Sequence, residues 1–141
     1  MAEDIRVLIV DDHPVVRIGI SGMLANQPDF QIVGDAENGE LALTLIKERQ
    51  PDVVLMDLRM PVMDGIETTR RVRAEYPQVQ VLILTTYDSD TDIVTAIDAG
   101  AVGYILKDSP RDILYDAIRA ASKGDSVLAS RVASRLLARV R

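Results

Sequence analysis

Residues 7–14 read VLIVDDHP: four branched aliphatic residues run straight into two adjacent aspartates and the only histidine of the chain. A strand covered on both faces is written as an unbroken aliphatic run, whereas a strand with one wet face alternates. Four further short apolar runs lie at residues 31–33, 53–56, 79–84 and 103–106, rich in Val, Ile and Leu and bounded by Asp, Gly or Pro. Four of the five runs are nearly uninterrupted. Between them apolar residues recur three and four apart, as in Leu41, Leu45 and Ile46 or Ile93, Ala96 and Ile97, the spacing of helices docked on a sheet. Asn38 reads as a helix start and Gly100, after Ala99, as a helix stop. Alternating strand and helix predicts a doubly wound α/β fold with a parallel sheet.

Composition sets the limits around that core. A chain of 141 residues, 48% hydrophobic and 27% charged, is one ordinary globular domain and needs no disulfide or structural metal to fold. It contains no cysteine, which excludes disulfides, thiolate catalysis and zinc–cysteine sites. The opening MAEDIRVLIV carries acids where a signal peptide would be basic, and its apolar run is too short to span a bilayer, so a cytoplasmic protein without membrane contact is expected. The net charge of −6 argues against the whole domain gripping nucleic acid. The charge is uneven: from Ser126 onward there are four arginines and no acid, which leaves −10 on residues 1–125. Residues 126–141 place Leu128, Val132, Leu136 and Val140 on one helical face and Arg131, Arg135 and Arg139 on another, predicting an amphipathic linker helix beyond a domain of residues 1–125.

In such folds ligands bind beyond the carboxyl ends of the strands. Strand one ends in Asp11 and Asp12, strand three in Asp57, strand four in Thr85 and Thr86, and strand five in Lys107. Three carboxylates at partly buried strand ends raise one another's pKa unless a cation is present. Oxygen ligands alone favour a hard ion, and few protein ligands with several retained waters favour magnesium over calcium. Magnesium points to phosphate chemistry, with a carboxylate as nucleophile forming an acyl phosphate, Lys107 neutralising the transferred group and Thr85 bonding one of its oxygens. Singly, each residue is ordinary: an Asp-Asp pair ends many strands, and a strand-end lysine is usually solvated. Their conjunction at one sheet edge is what carries the reading.

VLIVDDHP, VVLMDLRMPVMDG, VLILTTYD and GYILKD together resemble the receiver domain of two-component response regulators over residues 4–124. DDHP, VGDAENG at 33–39 and TTYD at 85–88 are further similar to the NarL/FixJ subfamily, whose members carry a LuxR-type helix-turn-helix after the receiver. The resemblance implies a flavodoxin-like (βα)5 fold with five parallel strands in the order 2-1-3-4-5, followed by the linker helix. It implies Asp57 as phosphoacceptor, Mg²⁺ held by Asp12, Asp57 and the backbone carbonyl of Arg59, and Asp11 acting through a metal-bound water. Lys107 would pair with the phosphoryl group, Thr85 would be the switch hydroxyl, and Tyr104 the aromatic that turns inward with it. Pro61 and Gly65 would shape the loop after Asp57. The implied donor is a sensor histidine kinase and the implied response a homodimer acting on DNA through a C-terminal domain absent from this sequence, with no turnover of a substrate. His13 is read as a loop residue rather than a ligand.

Two positions depart from the family's habit: Asp108 stands where many receivers have proline, and Thr86 where many have alanine. Two rival functions use the same acids. A magnesium-dependent phosphatase with an aspartyl nucleophile would normally need a second acid and a covering insertion, for which the chain has no spare length. A phosphorylation-independent interaction module would not need the acid, threonine and lysine set.

Overall fold

The computed structural model describes residues 4–128 together with Leu137. Strands β1 (Ile5–Val10), β2 (Phe30–Ala36), β3 (Val53–Met56), β4 (Gln80–Thr85), β5 (Gly103–Leu106) and β6 (Val127–Leu128) alternate with helices α1 (Pro14–Ala25), α2 (Gly39–Arg49), α3 (Gly65–Glu75), α4 (Asp90–Asp98) and α5 (Arg111–Ser122). The sheet is parallel throughout, in the order β2-β1-β3-β4-β5-β6. The flavodoxin-like order 2-1-3-4-5 is therefore present, with one strand added at the β5 edge.

The aliphatic runs are unbroken because consecutive residues feed two different cores. Leu8, Val10, Val54, Met56, Val81 and Ile83 face one side, where Ala42, Ile46, Val72, Ile93 and Ala96 close over them. Val7, Ile9, Val53, Leu55, Leu82 and Leu84 face the other, beneath Ile20, Leu24, Leu114 and Ile118. Alternation along a strand thus survives as alternation between two apolar layers. Burying one such aliphatic side chain contributes roughly 1.5–3 kcal/mol, which makes these layers the main source of stability.

Local signals behave as their chemistry requires. The Asn38 side chain accepts from Leu41 N at the start of α2, and Gly100, at φ 109°, takes the left-handed conformation after α4. Leu41 departs from its expected docking role: it is exposed, and Ala42 and Ile46 carry the buried face of α2. The buried face runs through Gly39, Ala42 and Ile46, one residue out of phase with Leu41.

The linker helix predicted over residues 126–141 is corrected at its start. Val127 and Leu128 form β6 and pair with Gly103 and Tyr104, so Leu128 packs on the sheet core instead of lying on a helical face. Gly124, at φ 78°, turns the chain back from α5 toward the sheet, and Gly103 makes the pairing possible: a Cβ there would stand 2.2 Å from the carbonyl oxygen of Val127. The remainder of the predicted helix, with Val132, Leu136, Val140 and the arginines, lies outside the described residues.

Gly103→Ala is expected to detach β6 while sparing the rest of the sheet. Hydrogen exchange checks it: the Val127 amide, bonded to the Val102 carbonyl at 3.1 Å, should lose its protection, and the amides of β1 and β3 should keep theirs.

Candidate functional site

Parallel register brings the site together. Val10 pairs with Met56 and Met56 with Ile83, so Asp11 and Asp57 leave neighbouring strands at one level. Thr85 and Leu106 are paired, which places Lys107 one residue beyond, its amide bonded to the Thr85 carbonyl at 2.9 Å. Of the six residues named at the strand ends, Asp11, Asp12, Asp57, Thr85 and Lys107 converge on this edge, and Thr86 lines the cleft above them. Asp11 and Asp57 are only 2% and 4% exposed, and Thr85 is fully buried.

Within the group the lysine takes sides. Its Nζ lies 2.6 Å from Asp11 Oδ2 and 3.5 Å from Asp57 Oδ2. Burial works to raise the Asp11 pKa but is outweighed by the Lys107 and His13 hydrogen bonds, which hold it below the usual carboxylate range. Asp57 is pushed up, first by burial and then by the charge of Asp11, against the smaller opposing pull of Lys107, the Leu58 amide and the Thr85 hydroxyl. Two buried carboxylates of one cluster are therefore driven in opposite directions.

His13, expected as a plain loop residue, stands at the start of α1 with its ring on the cluster. Its Nδ1 is hydrogen-bonded to Asp11 Oδ1 at 2.9 Å and lies 3.0 Å from Asp12 Oδ1. The second approach is not a hydrogen bond, and Asp12 Oδ1 is left buried with no donor. The neighbouring acids raise the His13 pKa, its bond to Asp11 foremost. Ligand atoms of Asp11, Asp12, His13 and Asp57 all lie within 4.8 Å of one another, a set able to hold a metal ion. The donorless oxygen and the oxygen-rich set fit a hard divalent cation.

A cleft of about 330 Å³ opens over these groups, lined by His13, Asp57, Arg59, Thr86, Tyr87 and Lys107. The Arg59 guanidinium lies 4.2 Å from the centre of the Tyr87 ring, and its Nη2 donates to Asp92 Oδ2 at 2.9 Å. Tyr104 is fully buried and its hydroxyl donates to the Tyr87 carbonyl; burial first, then Asp92 and Asp88, push its pKa up.

The loop after Asp57 is as tight as expected of Pro61 and Gly65. Met63 N–H bonds to the Pro61 carbonyl at 2.9 Å around Val62, a β-branched residue at φ 72°, a conformation that costs on the order of 1–3 kcal/mol. At Gly65 a Cβ would stand 2.0 Å from the Asp57 carbonyl oxygen, so only glycine fits. Sequence reasoning did not reach Arg17, whose Nη1 donates to the Asp11 carbonyl at 2.7 Å while its Nε pairs with Asp35; no spacing in the sequence marks that contact.

A doubly wound parallel sheet with acids, a hydroxyl and a lysine at its carboxyl edge is the arrangement of a receiver. The chain belongs to the response regulator receiver domain family, which it matches over residues 7–119. It is similar to the transcriptional regulatory protein LiaR of Bacillus subtilis, at 44% identity over 137 residues, 97% of this chain and 65% of LiaR. It is also similar to the response regulator protein VraR of Staphylococcus aureus, at 45% identity over 123 residues, 87% of this chain and 59% of VraR. The chain thus spans about three-fifths of the length of these curated relatives. The crystal structure of a LuxR-family two-component response regulator from Aurantimonas superposes with a TM-score of 0.93 at 34% identity, covering 99% of this chain and all of that one. Receiver domains of this family are phosphorylated by histidine kinases and use Mg²⁺ at an acidic pocket. No helix among the described residues is long and apolar enough to cross a membrane.

Asp57→Asn should stabilise the metal-free protein at neutral pH. A carboxylate whose folded pKa is raised favours folding only while protonated, and that contribution is lost as pH rises through the raised value. At pH 7 the ionised Asp57 is therefore a net cost, and its neutral isostere is expected to gain about 1–2 kcal/mol. Thermal melts check this: the gain should shrink when Mg²⁺ is added and vanish below the carboxylate range.

Proposed function

We propose that this chain is a phosphorylation-controlled switch in which Asp57 accepts a phosphoryl group from a phosphohistidine of a sensor histidine kinase. The observation that carries this reading is the set of strand ends: a buried, destabilised Asp57 carboxylate beside Lys107, with the Asp12 oxygen left without a donor. An Asp57 oxygen attacks phosphorus, the O–P bond forms as the P–N bond to the donor imidazole breaks, and the electron pair leaves on the imidazole nitrogen, which takes up a proton. The product is an acyl phosphate, later cleaved by water to restore the carboxylate. Asp12, Asp57 and the Arg59 backbone carbonyl would hold Mg²⁺, with Asp11 acting through a water. When bound, Mg²⁺ offsets charge on the phosphoryl oxygens.

Lys107 stays anchored on Asp11 while its ammonium faces the incoming group, so it orients the phosphoryl. Thr85, whose hydroxyl also accepts the Tyr87 amide at 3.4 Å, is the switch hydroxyl: turning toward a phosphoryl oxygen breaks that bond. Tyr104, tied to the carbonyl of the same Tyr87, moves with the loop. Residues 1–125 form the receiver, and residues 126–141, of which Val127 and Leu128 are embedded in the sheet, lead toward a DNA-binding output. The phosphorylated form pairs with a second copy, in the cytoplasm, to regulate transcription. The chain performs self-catalysed phosphotransfer and dephosphorylation and is not a turnover enzyme.

Intact mass after incubation with Mg²⁺ and acetyl phosphate tests the reading. One base-labile phosphate is expected on the native chain and none on Asp57→Asn; Lys107→Ala should cut the rate of its formation on the order of tenfold or more. Hydrolysis of small phosphate esters with turnover would instead favour a phosphatase, and a folded chain that takes no phosphate from either donor would favour a binding module.

A further inference from the structure

Arg59 links three segments of the chain at the sheet edge. It lies two residues after Asp57, sits over the Tyr87 ring beyond β4, and pairs with Asp92 in the first turn of α4. Its side of the cleft faces Asp57 and Lys107, which line the same space. The Tyr87 carbonyl accepts from the Tyr104 hydroxyl, and the single-nitrogen pair with Asp92 is the partner that Arg59 can give up.

We propose that Arg59 is a relay residue that trades Asp92 for the phosphoryl group, and so releases the first turn of α4 from the Asp57 loop when the site is charged. The inference rests on Asp57 being the phosphoacceptor. Conversion of the carboxylate to an acyl phosphate replaces one negative charge with two and adds acceptor oxygens, and a guanidinium favours such a group in bidentate geometry over a single carboxylate oxygen. The two acceptors compete for one cation. Asp92 is well placed to lose: its pair with Arg59 is partly exposed and is made through a single nitrogen, and pairs of that kind contribute little on their own. Sliding over the Tyr87 ring keeps the cation–π contact during the exchange, so the guanidinium is never without a partner.

The response of α4 depends on how else it is held. Only Ile93 and Ala96 of its residues are buried, and Ser89 caps its start by accepting from Asp92 N at 3.1 Å. With Arg59 withdrawn, the first turn keeps that cap but loses its tie to the β3–α3 loop, while the Asp92 carboxylate is left without its cation close to a cleft that has gained negative charge. Repulsion and the lost pair act in the same direction.

The experiment is hydrogen exchange of the full chain, read on peptides spanning residues 88–98, before and after phosphorylation with Mg²⁺ and acetyl phosphate, alongside intact mass. In the native chain the exchange of this segment should quicken on phosphorylation. Asp92→Asn and Arg59→Ala should already exchange roughly two- to threefold faster at rest, and phosphorylation should add little. Arg59→Lys should restore the resting protection but only part of the response, because an ammonium lacks the bidentate fork. Peptides from β1 and β3 report folding, and a variant that loses protection there is set aside in favour of Asp92→Asn. If Asp92→Asn and Arg59→Ala become phosphorylated and yet show native exchange at rest and a native response, the relay is overturned and the phosphoacceptor reading stands. If the native chain takes no phosphate, the phosphoacceptor reading falls and the relay falls with it.

Discussion

Three carboxylates from two neighbouring strands share one sheet edge with a single ammonium. Lys107 satisfies Asp11 at 2.6 Å and reaches Asp57 at 3.5 Å, and Asp12 Oδ1 has no donor at all. At these separations, like charges in a medium of intermediate dielectric repel by several kcal/mol, and one cation offsets only part of that. The fold nonetheless holds the acids there, because their backbones are fixed by the register of β1, β3, β4 and β5 and by two full apolar layers. Removing the repulsion by moving a strand would cost far more in buried aliphatic surface than it would recover in electrostatics. The site is therefore a standing charge deficit maintained by the core.

That deficit is distributed unevenly. Asp11 is fixed by Lys107, the His13 amide and the His13 ring. Asp57 accepts a hydrogen bond from the amide of its own neighbour, Leu58, and is otherwise dominated by burial and the charge of Asp11. Burial and the Asp11 charge disfavour its ionised form. A carboxylate in that position has the most to gain from a cation beside it or from a covalent bond to an electrophile. The packing around it is tight: the absence of a side chain at Gly65 lets α3 begin against the Asp57 carbonyl.

Most strands were legible in the sequence because two-sided burial leaves few polar residues in a run, whereas edge strand β2, with Gln31 and Asp35 exposed, was seen only in part; the acids, threonines and lysine were legible because they terminate those runs. Asn38 and Gly100 were legible for a local reason, capping and left-handed backbone. The sixth strand was not: Val127 and Leu128 fit a helical face as well as a strand, and the deciding fact is the distant Gly103, whose missing side chain lets the carbonyl of Val127 approach. Pairings within the site were equally hidden. Nothing local distinguishes Lys107 bound to Asp11 from Lys107 bound to Asp57, since both partners are remote in the chain. His13 was discounted because a lone histidine in a loop is usually solvated; its ring meets the acids only once α1 starts where Pro14 sets it. Arg59 is similar, since its partners Tyr87 and Asp92 belong to elements whose approach is a property of the assembled sheet.

The helices around the edge differ in how firmly the core holds them, and this decides which of them can respond. Helix α5 buries Leu114, Tyr115, Ala117, Ile118 and Ala121, and is tied further by Arg119 to Asp29 and by the Tyr115 hydroxyl to the Met23 carbonyl. Helix α4, of nine residues, buries two side chains and is steadied at its start by a serine cap and a partly exposed ion pair. A charge added at Asp57 acts on both, but a perturbation of a few kcal/mol moves the element whose local stability is of that size and leaves the other in place. Arg59 and Tyr87 stand between the strand ends and α4, and its thinner packing leaves that helix freer to shift than α5.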